Sequence, residues 1–144
     1  MSIQCIKSGP RRSFELTVGL RPGYGPRTNT HPFPRVIGIV TGHLKACAAA
    51  KKPYLSGMIV GGEMCYAWAE PSGVIEGRNE PCAVYRGEVS PLYNAEMTDE
   101  AALTWLTGLA DLLAESLNQT RIYIAYGDKL HIFQRDGRES PRRK

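Results

Sequence analysis

TDEAALTWLTGLADLLAESLNQTRIYIAYGDKLHIFQR, residues 98–135, carries the clearest structural signal in the chain. Thr98 is a good N-cap, and Asp99 and Glu100 set carboxylates against the unpaired N–H groups of a helix start. Leu103, Leu106, Leu109, Leu113 and Leu117 recur at three- and four-residue steps, and Trp105 and Leu112 widen the stripe. That period belongs to a helix lying on a core. Gly108 within it suggests close packing, because glycine otherwise weakens a helix. Asn118 suits the C-terminal stop. Two runs of β-branched and aromatic residues, Ile122–Tyr126 and Leu130–Phe133, then flank Gly127-Asp128, a standard hairpin signal. Ile122, Ile124 and Tyr126 share one face. Tyr123 and Ala125 lie on the other, and Phe133 is read with Tyr123.

Upstream, Phe14, Leu16, Val18 and Leu20 alternate with Glu15, Thr17 and Gly19, which predicts a half-buried strand. A Gly/Pro-rich loop, Arg21–Arg35, follows. Pro34 opens a helix over Val36, Ile37, Val40, Leu44 and Cys47, and Pro53 closes it. Gly38, Gly42, Ala46 and Ala50 form a small-residue stripe that predicts close backbone approach. Tyr54–Val60 and Glu63–Ala69 read as two strands around Gly61-Gly62, with one bulged strand as the alternative. Pro71–Pro81 reads as a polar loop, and Cys82–Val89 as a strand. Met64, Tyr66 and Trp68 share a face, opposed by Cys65, Ala67 and Ala69. Strands and helices in this order predict an α+β fold. It is a single antiparallel sheet, ferredoxin-like or a related split β-α-β, with two helices on one face. The organisation is a loose arm at 1–12, one domain at 13–135 and a basic tail at 136–144.

The chain has 144 residues and a net charge of +4. That excess resides in the two ends, where Lys7, Arg11, Arg12, Arg135, Arg138, Arg142, Arg143 and Lys144 face only Asp136 and Glu139. The body is slightly acidic. Tails of this kind add salt-sensitive attraction to phosphates, so nucleic acid is a candidate partner through them. Cys5, Cys47, Cys65 and Cys82 are widely spaced, without a C-x-x-C pair or a histidine at ligand spacing. They read as reduced thiols, with no metal site. With no apolar run near the roughly 20 residues of a membrane span and no signal-peptide core, the expected location is cytoplasmic.

No Walker, Rossmann or G-x-S-x-G pattern is present, and no cofactor is called for. The Arg21–Arg35 loop offers Arg21, Tyr24, Arg27, His31 and Arg35, a set suited to an anionic ligand or an acidic partner surface. Two helices cover one face of such a sheet. The large residues Met64, Tyr66, Trp68, Tyr123 and Phe133 then predict an apolar second face that meets another copy or a partner. The leading expectation is a small non-enzymatic binding protein, regulatory or inhibitory, acting by contact and as a homodimer. Two alternatives stand beside it. One is a nucleic-acid-binding accessory protein using the tails. The other is a cofactor-free enzyme with an aromatic cavity on the sheet, for which His131, Tyr66 and Tyr85 are the first residues to test.

Overall fold

The computed structural model of the chain describes residues 2–22 and 30–135. Its elements are β1 (Ser13–Gly19), α1 (Phe33–Ala49), β2 (Met58–Ala69), β3 (Ile75–Glu88), α2 (Asp99–Ser116), β4 (Arg121–Tyr126) and β5 (Lys129–Gln134). The strands form one sheet in the order β2-β3-β1-β4-β5, and every neighbouring pair is antiparallel. β3 lies between β2 and β1, so α1 joins two non-adjacent strands. This is the split β-α-β arrangement expected, extended at one edge by β5.

Both helices cover the same face. Phe14, Leu16 and Val18 of β1 point into one buried cluster with Val36 and Val40 of α1 and with Leu106, Leu109 and Leu113 of α2. Ile122 and Ile124 complete it from β4. Each such side chain, fully withdrawn from water, favours folding by roughly 2 kcal/mol. The termini of α2 are formed as the sequence implies. The Thr98 hydroxyl accepts from the Ala101 N–H at 3.0 Å, and Asn118 takes a left-handed conformation with φ 53°. Gly127, with φ 61°, turns the β4–β5 hairpin.

Several expectations are corrected. Residues 58–69 form one strand, whose register against β3 runs without a bulge from Met58↔Arg86 to Ala69↔Ile75. There is no turn at Gly61-Gly62. β3 starts at Ile75, inside the stretch read as a loop, and the reversal falls at residues 70–74, where Gly73 adopts φ 96°. Pro81 does not stop β3. Its carbonyl accepts from the Leu20 N–H at 3.0 Å, so its ring nitrogen faces the side where β1 has already ended. The β2–β3 ladder therefore loses nothing. The small-residue stripe of α1 is exposed, and a Cβ on Gly38, Gly42 or Gly108 would touch nothing within 4 Å. These glycines mark no close packing.

Residues 2–12 carry no helix or strand. Arg11 and Arg12 nevertheless tie to the domain, at Glu88 and Asp99 respectively. The basic tail, 136–144, lies outside the described residues. Among the described residues no helix is long and apolar enough to cross a membrane.

Candidate functional site

β2 and β3 run for 12 and 14 residues, but β1 for only 7. The far half of the β2–β3 hairpin therefore outreaches the sheet body. On the face away from the helices, its side chains and the segment leading into β4 enclose an open cavity of about 780 Å³. That volume is in the range of small-molecule sites. Alternation along the strands delivers Met64, Tyr66 and Trp68 from β2, and Arg78 and Glu80 from β3, to this one face. Gln119, Arg121 and Tyr123 form the opposite wall.

The cavity has an aromatic part and a charged part. The Tyr66 and Trp68 rings stand 6.0 Å apart at 44°, and the Arg78 guanidinium lies 5.5 Å from the centre of the Trp68 ring. The Trp68 indole N–H donates to Glu70 at 2.7 Å. Both rings keep more than a third of their surface in solvent, with Tyr66 at 38% and Trp68 at 37% exposed. Deeper in, Arg21 and Glu80 approach to 3.8 Å, with only 11% and 18% of their side chains exposed. Attraction between opposite charges is stronger there than at an open surface. Burial, reinforced by the Glu80 carboxylate, pushes the Tyr66 phenol up. Burial, with Glu63 and Glu80, does the same to the Cys82 thiol beneath. Both groups are therefore neutral near pH 7. Among the described residues, no three His, Cys, Asp or Glu side chains come together as a metal site.

Of the residues singled out in the Arg21–Arg35 loop, Arg21 reaches the cavity. Tyr24 and Arg27 lie outside the described residues. His31 and Arg35 instead serve the C-terminus of α2. The His31 Nε2 donates to the Leu117 carbonyl at 3.0 Å, and Arg35 donates to that of Ser116 at 3.2 Å. Of the residues expected on the second face, Met64, Tyr66, Trp68 and Tyr123 are there, and all four line the cavity. Phe133 is not. It pairs with Ile122 and packs on the core under the helices. His131, opposite Ile124, shares that helix side. Tyr85 is also beneath the helices, its hydroxyl donating to the Leu55 carbonyl, and burial pushes its pKa up to about 12.

Sequence reasoning missed Arg78, Glu80, Gln119 and Arg121. The first two fall in the supposed loop. The signal for them was present: Glu76, Arg78 and Glu80 alternate with Gly77, Asn79 and Pro81, the period of a strand face.

No protein-family model matches the chain, and no curated protein matches it by sequence. Among solved structures the chain is similar to a phage SAM lyase in complex with S-methyl-5'-thioadenosine. The TM-score is 0.67 at 14% identity, over 96% of this chain and 100% of that one. At that identity the likeness establishes the fold. It also corrects the expectation of a non-enzymatic regulatory or inhibitor protein, because a chain matched along its full length is a lyase. The physical reason for the misreading is local. With Glu80 placed in a loop, no acidic group converges with the aromatics, and the sheet face reads as a contact surface alone.

Proposed function

We propose that the protein is a lyase that cleaves S-adenosylmethionine and releases S-methyl-5'-thioadenosine in this cavity. The observation that carries the reading is the meeting of Tyr66 and Trp68 with the Glu80 carboxylate in one concave site. The fold shared with a SAM lyase supports it.

S-Adenosylmethionine presents a purine, a sulfonium and an amino acid end. Aromatic faces stack purines and attract cations. A carboxylate balances the sulfonium and the ammonium, and Arg78 and Arg121 offer guanidinium groups to the substrate carboxylate. In the reaction, the bond from sulfur to the aminobutyryl Cγ breaks and its electron pair stays on sulfur, which becomes a neutral thioether. The four-carbon fragment completes its valence without water. It does so by closing its own carboxylate oxygen onto Cγ, or by losing a Cβ proton to a base. Ring closure joins an anion to a cation and destroys both charges, so shielding of the reacting groups from water by the bound substrate favours it. Glu80 holds the cationic end of the substrate in the first route and is the base available in the second. The free thiols suit a cytoplasmic setting.

The test is incubation of the purified protein with S-adenosylmethionine. Thioadenosine release is followed by chromatography, and the four-carbon product is identified by NMR. Wild type is expected to turn over. Glu80→Gln is expected to lose roughly 100-fold in kcat/KM, the size of effect seen when one key electrostatic group is removed. A wild-type protein that forms no S-methyl-5'-thioadenosine ends this reading.

The same face suits self-association. On it Leu130 and Ile132 of β5 are 62% and 60% exposed and share one face of that strand, while Met58, 60% exposed, lies on β2 at the opposite edge of the sheet.

A further inference from the structure

Gln119 is a buried polar side chain, 8% exposed, between the end of α2 and the start of β4. It also lines the cavity. Its side-chain nitrogen donates to the Arg21 carbonyl at 2.9 Å and to the Leu117 carbonyl at 3.2 Å. Both partners can only accept, so chemistry settles which end of the amide is nitrogen. Both N–H groups are then in use, and the amide cannot flip without leaving two carbonyls unpaired.

The other end, Oε1, is held over Gly19. A Cβ built on Gly19 would lie 3.1 Å from Gln119 Oε1, 3.4 Å from Met64 Cε and 3.7 Å from Glu80 Oε2. Gly19 follows the inward-facing Val18, so the side it leaves bare is the cavity side. An amide oxygen and a carboxylate oxygen thus both border the cavity beside the bare side of Gly19. Among the described residues no donor reaches Gln119 Oε1. Two acceptors around a small gap call for a compact cation with several N–H bonds, and Arg21 already stands on Glu80 at 3.8 Å.

We propose that Gln119 Oε1 and Glu80 together receive the α-ammonium group of the substrate, which makes Gln119 a specificity-determining residue. The assignment rests on the reading of the cavity as a site for a sulfonium nucleoside with an amino acid arm. It implies discrimination by an unmet acceptor. A ligand that fills this part of the cavity without an ammonium displaces the water that otherwise meets these oxygens and offers them no donor in return, which costs it affinity. S-Methyl-5'-thioadenosine has no amino acid arm and does not use this spot.

The experiment compares wild type, Gln119→Met and Gly19→Ala. Turnover is measured with S-adenosylmethionine and its desamino analogue, and S-methyl-5'-thioadenosine affinity by calorimetry. Gln119→Met removes the acceptor. Gly19→Ala keeps the amide and its two donor bonds but fills the gap, which preserves the test if the first variant folds poorly. Each variant is expected to raise KM for S-adenosylmethionine at least tenfold with a smaller change in kcat. Each should also bring the preference over the desamino analogue close to one and leave S-methyl-5'-thioadenosine affinity unchanged. An undiminished preference in both variants, with wild-type turnover intact, overturns the ammonium assignment alone. Equal losses for all three ligands reduce Gln119 to a structural role and overturn it too. A wild type that neither binds nor cleaves S-adenosylmethionine removes the functional reading, and this assignment with it.

Discussion

Thr98 and Asn118 bracket α2, and both were legible because capping is local chemistry. The hydroxyl of Thr98 meets an N–H three residues on, at 3.0 Å, without help from the rest of the fold. Thr98→Ala is expected to cost about 1 kcal/mol. In a domain of this size that lowers Tm by roughly 3 °C in a thermal melt. The other donors at the far end of α2 could not be foreseen. His31, Arg35 and Arg135 reach the carbonyls of Leu117, Ser116 and Ala114 from distant parts of the chain. The two guanidinium groups among them complement the helix dipole. A Gly/Pro loop bearing arginines and a histidine looks like a binding loop in sequence, yet two of its residues serve as helix caps.

At the scale of elements, register carries the information. The Gly127-Asp128 turn sets Tyr126 opposite Lys129, and counting outward puts Ile122 opposite Phe133. Phe133 therefore faces the helices, a consequence of hairpin geometry that apolar character alone does not reveal. Where β1, β3, β4 and α2 meet, an ionic clasp joins them. Tyr126 and Arg12 donate to Asp99 at 2.6 and 2.9 Å, and Arg11 and Ser13 donate to Glu88, each at 2.7 Å. The Tyr126 hydroxyl and then Arg12 hold Asp99 below its ordinary 3.8, and Arg11 and Ser13 hold Glu88 below its ordinary 4.5. Lowered carboxylate values favour the folded state above the ordinary range, and that contribution disappears as pH falls through the lowered values. Melts below about pH 4 should accordingly show wild type losing more stability than Asp99→Asn/Glu88→Gln, relative to pH 7. Parallel losses would mean that the clasp contributes nothing. Both carboxylates lie at the surface, so the difference is expected to be small and to shrink with salt.

For the whole molecule, the sheet has one face closed by helices and one face open. The open face holds the cavity, and on it Met58 at one edge of the sheet and Leu130 and Ile132 at the other are exposed. Sedimentation at micromolar concentration is expected to show a species heavier than the 15.9 kDa chain, and Leu130→Glu/Ile132→Glu should return it to monomer. A wild-type monomer would mean that these side chains are simply solvated. The sequence by itself determined the α+β class, α1, α2 and its caps, the β4–β5 hairpin and the alternation of β1. All of these depend on contacts within a few residues, where period, caps and turn chemistry act. It also placed Met64, Tyr66, Trp68 and Tyr123 on one apolar face. Only the tertiary structure decided that β2 runs unbroken through Gly61-Gly62, that Pro81 is harmless where β1 ends, and that Glu80 and Gln119 meet over Gly19. Those outcomes depend on which strand lies alongside and how far it extends. A pairing between residues 60 or 100 positions apart leaves no mark in the local pattern of either partner, and the cavity is made of such pairings.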